Sequence, residues 1–490
     1  MAALMIQGCG SDVGKSLLVA GLCRLFTNRG LVVRPFKPQN MSNNAAVTAE
    51  GGEIGRAQAL QALACRTPPT VHMNPVLLKP QSPNVSQLIV RGQRVGDLAA
   101  MAYGEPREHL LRVAVESYRS LRSEADLVMI EGAGSPAETN LRAHDIANMG
   151  FAHAADVPVI LAADIERGHA IAALAGAHAV LDAADRNRIR GFLINKFRGD
   201  ARLFAEGLLT IQRHTGWQGC GVVPWLPAAA RLPAEDAASL EAALPSRTRG
   251  PVRIGILKLP HIANFDDFDP LLLEPQLSVE YIVSGQTVPA DLQLVIIPGS
   301  KATVTDLEFL YREGWHIDLA AHVRRGGRLL GICAGYQMLG RSIDDQEGLE
   351  GPPRTIAGLG YLDIDTVLSQ RKALRMVAGH FCDGDAAFTG YEMHMGITRG
   401  PGSVTRPYLQ FKDGSFDGAI SGDGRVAGCY VHGLMRDTSA RQQLLSALGA
   451  SGSAIDYPAS VDGALDEIAA ALAAALDIEA LLTISHEARR

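Results

Sequence analysis

The chain has no C-x-x-C pair, no long Lys/Arg run, no low-complexity tract and no uninterrupted apolar stretch of membrane-spanning length. Each absence removes a class of protein. Seven scattered cysteines, Cys9, Cys23, Cys65, Cys220, Cys333, Cys382 and Cys429, argue against a zinc site, a redox couple or a disulfide framework, and for a reducing, cytoplasmic setting. A net charge of −6 without a basic run gives no nucleic-acid footprint, so small molecules are the expected partners. The most apolar stretch, Ile468 to Leu482, is broken by Asp477 and Glu479 and rich in alanine, which predicts a packed helix rather than a membrane span. Near the amino terminus, Leu4-Met5-Ile6 runs at once into a glycine-rich loop, leaving no room for a basic and apolar leader.

What is present is α/β. With 490 residues, 47% of them hydrophobic, the chain is long enough for two main domains. Apolar strands alternate with helical stretches through about residue 240, at Val32–Phe36, Asp126–Ile130, Pro158–Ala162 and Ile189–Ile194, which predicts a mainly parallel sheet. The segment 242–251 carries Pro, Ser and Gly without apolar periodicity and reads as a linker between domains at 1–241 and 252–445, with a helical extension at 446–490. A second α/β series begins at Val252–Leu257 and continues through Leu292–Ile297. In open α/β sheets ligands bind at the carboxyl ends of strands, so the polar residues that end these strands should converge.

After the first strand, Gly8-Cys9-Gly10-Ser11-Asp12-Val13-Gly14-Lys15-Ser16 opens a helix, the setting of a phosphate-cradling loop. It is a variant P-loop, with Gly8 one place early. Backbone N–H groups over Gly10, Ser11, Asp12, Val13 and Gly14 can surround phosphate oxygens, Lys15 can offset their charge, and the Ser16 hydroxyl can meet Mg²⁺. Glu131 ends a strand before Gly132-Ala133-Gly134 and is a metal carboxylate candidate, or a helix N-terminal acid. Glu53 is a weaker second candidate, because Gly52–Arg56 resembles the start of an amphipathic helix. Asp164 and Asn195-Lys196 can contact nucleotide or cap helices, and Lys37, Gln39 and Asn40 can meet phosphate, substrate carboxylate or only brace a loop. Asp145–Met149 has little more than helix-start character.

The second half holds a cysteine at a sharp strand-to-helix turn, Gly331-Ile332-Cys333-Ala334-Gly335, a nucleophile elbow built on sulfur. His432, in Tyr430-Val431-His432-Gly433, ends a strand in the same domain and is the candidate base. Gly299 of Pro298-Gly299-Ser300 and Ala334 can supply oxyanion N–H groups. No third, orienting residue is evident: Leu434 stands two places beyond His432, and nothing sets Asp437 against the imidazole.

Taken together with Pro35–Ser42, Gly51–Ala59, Met73–Pro80, Pro298–Lys301, Gly390–Gly396 and His432-Gly433, these motifs resemble the cobyric acid synthase family nearly end to end. The resemblance implies a dethiobiotin-synthetase-like, P-loop-type ATP- and corrinoid-binding amidoligase domain followed by a class I glutamine amidotransferase domain of flavodoxin-like α/β fold. It implies Cys333 as nucleophile, His432 as base, ATP and Mg²⁺ as cofactors, and L-glutamine and a corrinoid as substrates. The reaction it implies is amidation of the b, d, e and g carboxylates of adenosylcobyrinic acid a,c-diamide in cobalamin biosynthesis; because free ammonia would protonate or escape in water, a protected path for it between the domains is expected. The family commonly lacks a carboxylate two residues after the histidine, in agreement with Leu434. Cys9, Gly10, Ala334 and His169 depart from the family pattern, the last following Arg167-Gly168.

The nearest rival is cobyrinic acid a,c-diamide synthase or another ATP-dependent amidotransferase of this architecture. A P-loop regulatory ATPase with a decayed amidotransferase domain is opposed by intact Cys333 and His432. A simple cysteine hydrolase leaves Lys15 and Glu131 without work.

Overall fold

The computed structural model describes residues 2–82, 85–99, 107–166, 168–234 and 250–487. Most of the expected linker at 242–251, and Arg167, lie outside the described residues. The chain folds into two units, one made of residues up to Ser42, Gly52–Leu232 and Val461 onward, the other of Asn43–Gly51 and Pro233–Ser460.

The first unit is built on a six-stranded sheet in the order Gln218–Pro224, Ile189–Phe197, Val159–Asp164, Ala2–Gly8, Leu127–Glu131, Val33–Phe36, with every neighbouring pair parallel. Strands buried on both faces read as continuous apolar runs, and all seven residues of Ala2–Gly8 are buried. Ala2–Gly8 lies in the sheet interior and feeds the phosphate loop, with Ile6 beside Glu131 and Gly8 beside Ala162. A smaller four-stranded sheet joins Gln39–Met41, Val76–Ser82, Val85–Val90 and Gln93–Ala99. Glu53 belongs to a short strand, Glu53–Gly55, and the helix expected to include it begins one strand later, at Arg56–Ala64.

The carboxy-terminal stretch expected as an extension returns to this unit. Helices Tyr457–Ala475 and Ile478–His486 bury Leu465, Ile468, Leu472, Leu481 and Ile484, with Leu476 between them, in the same core as Leu18, Leu22 and Phe26 of helix Lys15–Asn28. Gly21 permits the approach: a Cβ there would stand 2.5 Å from Leu472 Cδ1 and 2.7 Å from Ile468 Cγ2. The fully buried Arg24 guanidinium ties the same helices by pairing with Asp462 and, at 3.6 Å, with Asp466. The helix that presents Lys15 and Ser16 is thus sandwiched between its own sheet and the chain terminus.

The second unit has a six-stranded sheet ordered Leu277–Ile282, Val252–Leu257, Leu294–Ile297, Arg328–Ile332, Val426–Cys429, Ala419–Ile420, parallel except for the last pair. In chain order its parallel strands run 2-1-3-4-5, the flavodoxin-like arrangement expected, whose switch point falls between Val252–Leu257 and Leu294–Ile297. A mixed seven-stranded sheet, dominated by the long hairpin Asp365–Phe381 and Ala387–Arg399, carries Val431–His432 against Tyr391 and Glu392. No described helix is long and apolar enough to cross a membrane.

Candidate active sites

In the first unit the phosphate loop closes on Gly14, whose φ of 88° favours glycine and whose Cα faces the Asn195 amide. Lys15 Nζ donates to Gly10 O at 3.0 Å and Gly134 O at 3.2 Å, holding the ammonium over the loop. Asn195 and Lys196 brace it from behind: Asn195 Nδ2 donates to Val13 O at 2.8 Å, Lys196 Nζ to Asp12 O at 2.5 Å, and Lys196 pairs with Asp164 at 2.9 Å. Asp164, Asn195 and Lys196 therefore do converge on the loop. Ser11 lies in the same turn with the exposed Asp12, which has φ 57°. Burial pushes the half-buried Cys9 thiol up to about 12, against the opposing pull of Lys15, and keeps it neutral.

Glu131 is the hub. Fully buried at its strand end, it accepts from Ser16 Oγ and Lys37 Nζ on Oε1, both at 2.7 Å, and from Gln61 Nε2 at 2.6 Å and Gln58 Nε2 at 3.4 Å on Oε2. A buried carboxylate needs this many partners, because leaving a charge unpaired in the interior costs several kcal/mol. Asn40 joins through Gln58 Oε1 at 3.0 Å, while Gln39 sits half-buried on the strand before it. The Glu53 carboxylate meets the buried Lys79 ammonium at 2.5 Å. Gln58 and Gln61 escaped the sequence reading, although the spacing of Gln58 and Gln61 on one helix was visible.

The residues fit Mg²⁺ of the phosphate-bound kind. Ser16 and Glu131 offer two hard oxygens 2.7 Å apart, and the Lys37 ammonium on the same Glu131 oxygen shows that the position accepts a cation. Among the described residues no cluster of three His, Cys, Asp or Glu side chains could cage a metal alone, which suits an ion that takes further ligands from phosphate and water.

In the second unit Cys333 sits between strand Arg328–Ile332 and helix Ala334–Met338 with φ 54° and ψ −107°, a conformation costing on the order of 1–3 kcal/mol for a non-glycine residue. Glycines make the elbow possible: a Cβ on Gly331 would lie 2.6 Å from Gly335 C, and one on Gly335 would enter the Ile297 backbone. Cys333 N donates to Cys429 O at 2.8 Å, and its sulfur rests 3.6 Å from Met393 O. Ala334 then opens the helix, so its N–H is among those that the helix itself leaves without a carbonyl partner.

His432 is fully buried, and the Cys333 sulfur is near enough to act on its basicity. Its Nδ1 meets Asp267 Oδ2 at 2.6 Å, and Asp267 Oδ1 accepts from Gly433 N at 2.7 Å. Tyr391 stacks on the imidazole at 5.3 Å. Burial opposes charging of His432, but the Asp267 carboxylate and the Cys333 sulfur outweigh it and hold the imidazolium up to about 10. Gly299 abuts the same ring, since a Cβ there would be 3.0 Å from His432 Cε1.

Asp267 is the third member that was missing from the sequence reading. It precedes His432 by 165 residues and lies in the one-turn helix Phe265–Phe268 that follows the strand Val252–Leu257. The acidic run Asp266-Asp267-Phe268-Asp269 after that strand was its only visible signal. Its neighbour Asp266 pairs instead with Arg436 at 2.6 Å, and Asp437 binds the Thr389 backbone and hydroxyl, away from the imidazole.

Each site lies within a stretch that matches a known family domain. Residues 4–240 match the CobQ/CobB/MinD/ParA nucleotide binding domain, and residues 253–440 match the CobB/CobQ-like glutamine amidotransferase domain. A cobyric acid synthase of Caulobacter sp. (strain K31) is 63% identical over 485 residues, covering 99% of this chain and all of the relative. One from Rhizorhabdus wittichii is 56% identical, covering 99% of each chain, and one from Methylorubrum populi is 54% identical, covering 98% of this chain and 99% of its own. With a phosphate loop, a buried Cys-His-Asp site and full-length identity of this order, the chain belongs to the cobyric acid synthase family.

Proposed function

We propose that this protein uses ATP and L-glutamine to amidate the b, d, e and g carboxylates of adenosylcobyrinic acid a,c-diamide. The observation that carries the reading is the Cys333–His432–Asp267 arrangement within a chain 63% identical to a cobyric acid synthase.

The Cys333 thiolate attacks the side-chain amide carbon of glutamine, and the oxyanion is held by the N–H groups of Gly299 and Ala334. His432, kept protonated by Asp267, gives its proton to the departing nitrogen, so the C–N bond breaks as ammonia forms and a glutamyl thioester remains. Water then adds to the thioester with His432 as base, releasing glutamate and returning the thiolate.

In the first unit, backbone N–H groups from Gly10 to Gly14 cradle the triphosphate and Lys15 offsets its charge. Ser16 and Glu131 would hold Mg²⁺, which supplies charge neutralisation at the transferring phosphoryl group. A corrinoid carboxylate oxygen takes the γ-phosphoryl of ATP, the β–γ bridge bond breaks and ADP leaves, and ammonia then displaces phosphate from the acyl phosphate to give the amide. Lys37 lies next to this hub, with Gln39 and Asn40 following, so we assign these three to the phosphate or the substrate carboxylate.

The test is mass spectrometry of two substrates, cobyrinic acid and its adenosylated a,c-diamide, each incubated with protein, MgATP and glutamine. Four successive amidations of the diamide support the reading. Amidation confined to the a and c positions of cobyrinic acid would instead assign the earlier diamide-forming reaction.

A further inference from the structure

Asp306 is fully buried in the first turn of helix Thr303–Arg312, outside the Cys333–His432–Asp267 site. Its carboxylate is saturated by two loops. Oδ1 meets His261 Nδ1 at 2.7 Å, and Oδ2 accepts from His261 N at 3.1 Å and Ser300 Oγ at 2.6 Å. Ser300 Oγ in turn accepts from Ala302 N at 3.0 Å. The loops are also laced along the backbone: Ala263 N donates to Gly299 O at 3.0 Å, Lys301 N donates to His261 O at 2.9 Å, and Ile262 bridges Ser300. The bond to Asp306 raises His261 above its ordinary basicity, against the effect of burial, which favours a charged contact. A buried carboxylate with this set of donors fixes peptide orientation, because any rotation of the 299–301 segment breaks a charge-assisted bond in a low-dielectric interior.

We propose that Asp306 is a positioning residue for glutamine hydrolysis, holding the Gly299 peptide at the oxyanion through Ser300 and His261. It touches neither glutamine nor the sulfur. The inference rests on the reading of Cys333 as the glutaminase nucleophile and deepens it. Its physical basis is that an oxyanion donor works only when preorganised, and a misplacement of about 1 Å can cost on the order of 100-fold in rate.

The experiment compares full-length wild type, Asp306→Asn, Ser300→Ala and Cys333→Ala in three assays: glutaminase kinetics, amidation driven by ammonium salt, and alkylation of Cys333 by iodoacetamide read at the peptide level. Alkylation develops no oxyanion, so it reports the Cys–His pair alone. Asp306→Asn should lower glutaminase kcat about 100-fold while KM for glutamine, the alkylation rate and ammonium-driven amidation stay within twofold. Ser300→Ala, which keeps His261 in place, should show the same split with a smaller drop. Wild-type kcat in Asp306→Asn, or a parallel loss of kcat and alkylation in both variants, would overturn the proposal. Glutaminase surviving in Cys333→Ala would instead remove the reading beneath it.

Discussion

The two units place charge at the carboxyl ends of parallel strands in opposite ways. In the nucleotide unit the acid is neutralised in advance: Glu131 is shared by Ser16, Lys37, Gln58 and Gln61. In the glutaminase unit the charge is built in and held under strain: Cys333 has φ 54°, and His432 is kept protonated by a buried carboxylate. The difference follows from what each ligand brings. A nucleotide arrives with several negative charges and a cation, so its site is a set of donors that can exchange partners. Glutamine is uncharged at its reacting amide, so the protein must supply the nucleophile, the proton and the oxyanion donors itself.

The comparison breaks most sharply at Cys333. Cys333→Ala should lower glutamine-dependent amidation by about 10⁴-fold or more, leaving amidation from ammonium salts within a few-fold of wild type, whereas Lys15→Ala should impair both, as read by ATP-dependent product formation. Next is Asp267→Asn, which keeps a hydrogen-bonding shape but loses the charge; glutaminase kcat should fall about 10²–10⁴-fold in a steady-state assay. Gly299→Ala puts a methyl against His432 Cε1 at 3.0 Å and Ala263 O at 3.2 Å, and should reduce glutaminase kcat about 10-fold or more with ATP affinity unchanged by calorimetry. The smallest effect on chemistry sharpens the other side. Leu472→Ala removes a fully buried side chain that packs on the phosphate-loop helix and should cost about 2–5 kcal/mol of stability in that unit, seen in denaturant melts, while glutaminase activity at low temperature persists.

How far the sequence spoke differed between the units for physical reasons. The phosphate loop and the cysteine elbow are local: glycine at Gly14, Gly331 and Gly335 is demanded by backbone geometry within a few residues, so the pattern is legible. The strand-end position of Glu131 follows from its apolar run and the rule for ligands in parallel sheets, whereas His432 lies on a short strand, Val431–His432, that leaves the parallel sheet and pairs antiparallel with Tyr391 and Glu392. Asp267 was not legible, because its pairing with His432 joins the one-turn helix Phe265–Phe268 to a strand of the other sheet 165 residues later, and an acid after a strand has many other uses, as Asp266 with Arg436 shows. The terminal helices were legible as buried, since Ile468, Leu472 and Leu476 recur at helical spacing, yet periodicity names a face and not its partner. Glu53 shows the same limit: its buried partner Lys79 lies 26 residues on, and nothing in the local motif announces it.

The pH dependence follows from the raised His432. Its folded value, about 10, exceeds its ordinary 6.5, so the pairing with Asp267 stabilises the second unit fully below pH 6.5 and is lost as pH rises through about 10. The most direct measurement of this preformed charge is an NMR titration of protein labelled in its histidine rings, with the His432 signal assigned by its absence in His432→Gln. We expect His432 to remain an imidazolium until about pH 10 in wild type and to titrate several units lower in Asp267→Asn. A wild-type midpoint near 6.5, unchanged by Asp267→Asn, would contradict the account.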